Sequence, residues 1–255
     1  MYGSSEIHGN SMTTVLDDLL SSLTEDAPVR SVWVGAHWTV VCSRHCGLAA
    51  TLASSHPHGH LQVRDAGHLH QMSARELAEL ARSSELMEAS IGVAAINSLL
   101  DVQESAAREI NASEVLVSRG RGRNVALIGH FSFIPELRQA AGQLWVIEQQ
   151  PQADEYPAEA AVDLLPKAHV VAITGSTLAN HTLDGLLSLC DPKASVMILG
   201  PSTPLSSVLF DHGADIISGT RVQDEAAVLR TVGQGASFRQ VEGVKLLTFT
   251  REKET

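Results

Sequence analysis

Apolar residues recur at helical spacing from Met12 to Leu23, with Val15, Leu16, Leu19, Leu20 and Leu23 on one face, and predict an amphipathic helix. Two short runs rich in Val and Trp follow, Val29–Val34 and Trp38–Cys42, separated by Gly35-Ala36; they predict a hairpin. Ser43 to His70 is rich in His, Gly and Ser and reads as loop, with one short strand near Leu61–Arg64. Ser73 followed by Glu76 is a capping box, and it opens a predicted helix over Ala74–Ala81. The next helix, Glu85–Leu100, is apolar almost all round, which places it inside a core.

After Arg119, Arg121 and Arg123, read as a solvated linker, the pattern changes. Strand-length apolar runs alternate with helical segments: Val125–Gly129 then Phe133–Ala141, Leu144–Glu148 then Ala158–Leu165, Val170–Gly175 then Leu183–Leu189. Val196–Gly200 then Leu205–Phe210, Ile216–Ser218 then Ala226–Val232, and finally Val244–Phe249 continue it. The strands are continuously apolar, as a parallel sheet covered on both faces requires. The predicted fold is therefore α/β, a doubly wound parallel sheet of six strands over residues 113–255, preceded by an α+β domain over residues 1–112. No internal repeat interrupts this reading.

Charge narrows the partners. The 255 residues carry 18 Lys or Arg against 29 Asp or Glu, a net charge of -11. Nucleic acid and anionic membranes need a basic surface, so neither is expected as a partner. No apolar run approaches the roughly 20 residues of a bilayer span, and the start lacks the pattern of a signal peptide. Three cysteines do not make a disulfide framework. The expectation is a soluble, reduced, cytoplasmic protein, with homo-oligomerisation left open.

In a doubly wound sheet, ligands lie beyond the carboxyl ends of the strands, where the strand order reverses. The first such end, Gly129-His130-Phe131-Ser132, is not a dinucleotide fingerprint, because Phe131 stands where a second glycine would let the backbone meet a pyrophosphate. NAD and FAD are disfavoured. Glu148 ends the second strand, where an acid can meet a ribose hydroxyl or simply be a solvated strand end. The third strand runs into Thr174-Gly175-Ser176-Thr177 and on to Asn180-His181-Thr182. The fourth runs into Gly200-Pro201-Ser202-Thr203-Pro204. Hydroxyls and free N–H groups at such junctions hold anions or polar ligands, although N-capping alone explains some of them. His130 and His181 flank these loops as candidate ligands or proton donors. Asp184 and Cys190 read as structural.

A second candidate chemistry lies in SHPHGH. His56, His58 and His60 alternate, so an extended chain presents their imidazoles on one face, a set that suits zinc, copper, nickel or iron. His68 and His70 repeat the spacing. Cys42, His45 and Cys46 form a C-x-x-H-C cluster able to add thiolates, yet no standard zinc spacing is present.

The runs ITGSTLANHTLDGLL and GPSTPLSSVLFDHGADIISGTRV, with GHFSFIPEL, WVIEQQP, GLAATL and ASIGVAAINSLL, closely resemble the family named for putative heavy-metal chelation. The resemblance covers most of residues 30–235. It implies an enolase-N-terminal-like α+β domain, a Rossmann-like domain and a site between them. By position it implies site roles for Gly129, Glu148, Thr174, Gly175, Asn180, Thr182, Pro201, Ser202, Thr203 and Gly219, with Asn97 from the N-terminal half. The clustered His and Cys residues are not part of the family pattern.

Two readings of function follow. The first is a protein that binds a metal, most simply a divalent transition metal, a metal chelate or a small polar metabolite in the interdomain cleft. The alternative is a Rossmann-type enzyme with a nucleotide-bearing or one-carbon cofactor. Metal buffering by the histidine loop alone is a third.

Overall fold

A computed structural model describes residues 13–53 and 63–251. The N-terminal unit opens with α1 (Val15–Ser22), where Thr14 and Asp17 form a reciprocal capping box and Val15, Leu16, Leu19 and Leu20 are buried. Strands β1 (Ser31–Val34), β2 (Trp38–Cys42) and β3 (Cys46–Ala50) make an antiparallel sheet with β2 in the middle. Two helices follow, α2 (Ala74–Glu79), capped by Ser73 and Glu76 as predicted, and α3 (Leu86–Leu99).

Strand β3 corrects the reading of residues 43–70 as loop. Its residues, Cys-Gly-Leu-Ala-Ala, have little intrinsic strand preference. They extend because they pair along the whole of β2 and because α3 lies directly on them. A side-chain carbon at Gly47 would stand 2.0 Å from the Ala94 carbonyl oxygen. The strand expected near Leu61–Arg64 is absent at Val63 and Arg64, and its first two residues lie outside the described residues.

The tight β2–β3 turn brings a second correction. The register sets Cys42 opposite Cys46, with Cα atoms 4.2 Å apart, and the two form a disulfide. The cysteines are therefore not all reduced thiols.

The C-terminal unit begins with α4 (Ala112–Gly120), unanticipated because its apolar residues Val115, Leu116 and Val117 are adjacent instead of spaced along one helix face; Arg119 lies in its last turn and Arg121 and Arg123 are exposed. Then come β4 (Asn124–Ile128), α5 (Ile134–Ala140), β5 (Gln143–Glu148), β6 (Tyr156–Pro157), α6 (Ala161–Leu164), β7 (Val170–Thr174) and α7 (Leu183–Leu189). The chain ends with β8 (Ser195–Leu199), α8 (Val208–Asp211), β9 (Ile216–Val222), α9 (Glu225–Gly233) and β10 (Val244–Thr250).

These strands form one sheet in the order β10-β9-β8-β7-β4-β5-β6. It is parallel except that β10 pairs antiparallel with β9. Seven strands replace the six expected, since the two-residue β6 adds beside β5. The last strand is antiparallel because α9 packs on β1 and β2 rather than over the sheet as a crossover helix.

The order reverses between β4 and β7, the crevice of a doubly wound sheet. Leu116, Leu127, Leu137 and Val146 bury one face under α4 and α5. Ala126, Ile147, Ile173 and Ile198 bury the other, and their cluster runs without a break into Leu19, Leu77 and Ile91 of the N-terminal unit. Among the described residues no helix is long and apolar enough to cross a membrane.

Candidate functional site

The turns after β4 and β8 leave the sheet through glycines with positive φ, 110° at Gly129 and 107° at Gly200, a conformation costly for other residues. A side-chain carbon at Gly129 would stand 3.1 Å from Phe131 Cε2 and 3.1 Å from Thr174 Cβ. One at Gly200 would stand 3.8 Å from Phe131 Cε1 and 3.9 Å from Thr174 Oγ1. The Phe131 ring, stacked on Phe133 with centroids 5.1 Å apart, thus sits between the turns at the switch point. Thr174 caps a short helical turn, its Oγ1 accepting from the Ser176 N–H at 3.4 Å. Gly175 lets the third loop touch the fourth, since a side-chain carbon there would fall 2.5 Å from Thr203 N.

Glu148 ends β5 half-buried and accepts the Gln149 N–H at 3.0 Å. His130 is exposed, with Nδ1 2.7 Å from Glu155 Oε1. Glu155 was not legible in the sequence; it joins the site only because β6 docks beside β5. The Gln152 N–H, aided by His130, holds its carboxyl below the usual range despite the opposing effect of burial.

A different set meets where the two units touch. The Ala50 N–H donates to Ser202 Oγ at 2.8 Å, and Asn97 Nδ2 donates to the carbonyls of Leu48 at 3.0 Å and Ser202 at 3.2 Å. Thr220 Oγ1 donates to the Pro201 carbonyl at 3.4 Å. Asn97 Oδ1 and Thr203 Oγ1 are buried, and neither has a hydrogen-bond partner among the described residues. Both residues line a narrow recess whose cavity volume is about 10 Å³, room for about one water, with Cys46, Thr220 and Arg221 also on its wall. Arg221 donates to His45 Nδ1 at 2.9 Å.

Asn180, His181 and Thr182 form a third group. Asn180 Oδ1 accepts the Thr182 hydroxyl at 2.6 Å and its N–H at 3.3 Å. His181, with φ 58°, aims Nε2 at the Ala81 carbonyl oxygen, 2.8 Å away. Gly219 backs the fourth loop, and a side-chain carbon there would lie 2.8 Å from the Thr203 carbonyl oxygen. His56, His58 and His60 lie outside the described residues.

For metals, the cysteine cluster differs from its spacing. Cys42, Cys46 and Glu225 bring their ligand atoms within 4.8 Å of one another. His45 is turned away and engaged by Asp101 at 3.0 Å and by Arg221.

Fold and site together define a class: two-unit α/β proteins whose hydroxyl-rich strand ends meet an N-terminal unit across a polar recess. Residues 111–250 match the DUF364 family, described as "Putative heavy-metal chelation", and residues 16–100 match the DUF4213 family, which carries the same description. The first match alone spans more than half of the chain, and the chain belongs to this family. It is 26% identical over 185 residues to an uncharacterized protein of Methanocaldococcus jannaschii, covering 70% of each. A crystal structure of a DUF364 protein of unknown function from Desulfitobacterium hafniense superposes with a TM-score of 0.77 at 27% identity, covering 93% of this chain and 97% of that one. A Pyrococcus horikoshii member, also of unknown function, gives 0.76 at 21% identity over 93% and 98% of the two chains and shows the shared fold.

Proposed function

We propose that the protein binds a small anionic metal chelate, or a polar metabolite of similar charge, over the mouth of the recess between its two units, with a single polar group or a water filling the recess itself. The observation that carries this reading is the pair of orphaned oxygens, Asn97 Oδ1 and Thr203 Oγ1. Buried polar atoms without partners each cost about 1–3 kcal/mol, so a ligand recovers that cost when it brings a hydroxyl, an amine or a bridging water to donate to Asn97 Oδ1 and an oxygen to accept from the Thr203 hydroxyl. Arg221 on the same wall repels a bare cation and attracts a ligand with outward carboxylate or phosphate groups. The family's description points to metal chelation in general terms. A Rossmann-type nucleotide cofactor at the switch crevice is less well supported, because Phe131 occupies the approach between Gly129 and Gly200.

The test is calorimetric titration with zinc or nickel as its citrate complex. His56, His58 and His60 are replaced by Ala beforehand, so that the histidine loop does not contribute. Saturable binding is expected, weakened at least tenfold, about 1.4 kcal/mol, by Thr203→Val and by Arg221→Gln, and unaffected by Glu148→Ala. Thr203→Val should also leave the unliganded fold as stable or more so, since it removes an unpaired hydroxyl. Equal binding by all three variants overturns the recess; loss confined to Glu148→Ala moves the site to the crevice.

A further inference from the structure

The β2–β3 hairpin closes against the first turn of α9. Cys42 ends β2 and Cys46 opens β3, 0% and 8% exposed, among Val40, Leu48, Val228 and Val232. Glu225, the first residue of α9, brings a carboxylate oxygen within 4.8 Å of both sulfurs. Arg30 spans the same corner, its Nε donating to the Ser43 carbonyl at 2.9 Å and its guanidinium pairing with Glu225 at 2.6 Å. A purely structural cystine needs only apolar neighbours; here a carboxylate and its counter-ion stand against it at the rim of an apolar cluster.

We infer that the Cys42–Cys46 disulfide is the closed state of a thiol-gated metal site, in which the two reduced cysteines and Glu225 together hold one soft divalent ion such as zinc or cadmium. Two thiolates and a carboxylate supply three protein ligands and leave the fourth tetrahedral position open. Thiolates select soft metals over magnesium or calcium. Charge also balances: three anionic ligands and Arg30 sum to -2, which a divalent ion cancels, so the filled site puts no net charge against the apolar cluster. His45, between the cysteines in sequence, is engaged by Asp101 and Arg221 and takes no part.

The gate is thiol–disulfide exchange with a low-molecular-weight thiol, RSH. One RSH attacks a sulfur of the pair, forming a mixed disulfide and releasing one cysteine thiol. A second RSH attacks that mixed disulfide, releasing RSSR and the other cysteine thiol. The ion then binds both sulfurs with loss of two protons. Oxidation by RSSR reverses each step and expels the ion.

The site shares only Cys46 with the wall of the recess, and its test reads a different signal. In a Cys190→Ser background the full chain has no other thiol. After phosphine reduction and anaerobic removal of the reductant, cadmium is titrated and the ultraviolet thiolate-to-cadmium charge-transfer band is followed. One equivalent with a two-thiolate band is expected in the reduced protein, and no band in the oxidised protein. Cys42→Ser should lose at least half the band, and Glu225→Gln should keep it while binding at least tenfold more weakly. A reduced protein without a saturable band, or a Glu225→Gln variant with undiminished affinity, overturns the proposal. Cadmium in the recess reaches at most the one thiolate of Cys46 and cadmium on histidines reaches none, so neither gives the two-thiolate band or depends on Glu225, and the two ideas fail separately.

Discussion

At the scale of single residues, two groups have behaviour set by burial. Cys190 donates to the Leu186 carbonyl at 3.4 Å, and burial pushes its thiol up to about 11. At pH 8 only roughly one molecule in a thousand then carries the reactive thiolate. Iodoacetamide should therefore alkylate native Cys190 at least a hundredfold more slowly than a free cysteine, with full reaction in denaturant; rapid native labelling, read by mass spectrometry, would refute this. Glu88 is 2% exposed, and burial alone would raise its pKa. Hydrogen bonds from Arg64 Nε, the Ser83 hydroxyl and the Arg64 N–H outweigh burial and hold it below its ordinary 4.5. A carboxyl depressed in the folded state stabilises at every pH above the unfolded value, and that contribution fades as pH falls through the folded one. Glu88→Gln should cost about 1.5–3 kcal/mol at pH 7 in urea unfolding. The gap from wild type should narrow below about pH 4.5. A gap that is constant down to pH 3 would show that the charge is not what matters.

Among the elements, α3 shows most plainly what limits substitution. A carbon added at Gly92 would lie 1.9 Å from Ala81 N, and one at Gly47 would lie 2.0 Å from Ala94 O. Both obstacles are backbone, which cannot rotate aside. Gly92→Ala and Gly47→Ala should each destabilise by about 3 kcal/mol or more. Gly185, in α7 with nothing within 4 Å, should instead gain roughly 0.5–1 kcal/mol as Ala. Thermal melts of the three variants check both signs. Elements with strong local signals were legible in sequence: the Ser73–Glu76 cap, the apolar α3 and the alternation of strands and helices beyond residue 124. The elements missed are those that tertiary contact creates. Strand β3 is built from small residues that only α3 and β2 hold extended, and β6 exists only by docking on β5. The direction of β10 depends on where α9 packs. The site divides in the same way. Asn97 and Thr203 were candidates from loop position and family resemblance, whereas Arg221 and Glu155 carry no local pattern and enter through strand pairing.

For the whole molecule, the seam between the units decides whether the chain unfolds as one body. Apolar contact is continuous across it, and polar links reinforce it at both ends. The Val15 N–H donates to Asp184 at 2.8 Å, His212 meets Asp18 at 2.7 Å and the Ala50 N–H meets Ser202. The recess is bounded by this seam, so a ligand seated there stabilises both units together. Ser202→Ala strands the Ala50 N–H without its partner at a cost of about 1–3 kcal/mol. Because the link is shared, the loss should appear equally in both units. Trp38 reports the antiparallel sheet and Trp145 the parallel one. In single-tryptophan variants retaining one or the other, urea midpoints should coincide before the substitution, and both should shift down by the same amount after it. Midpoints that separate, with only the Trp38 signal moving, would mean that the units melt independently and that the recess belongs to a contact the N-terminal unit can lose by itself.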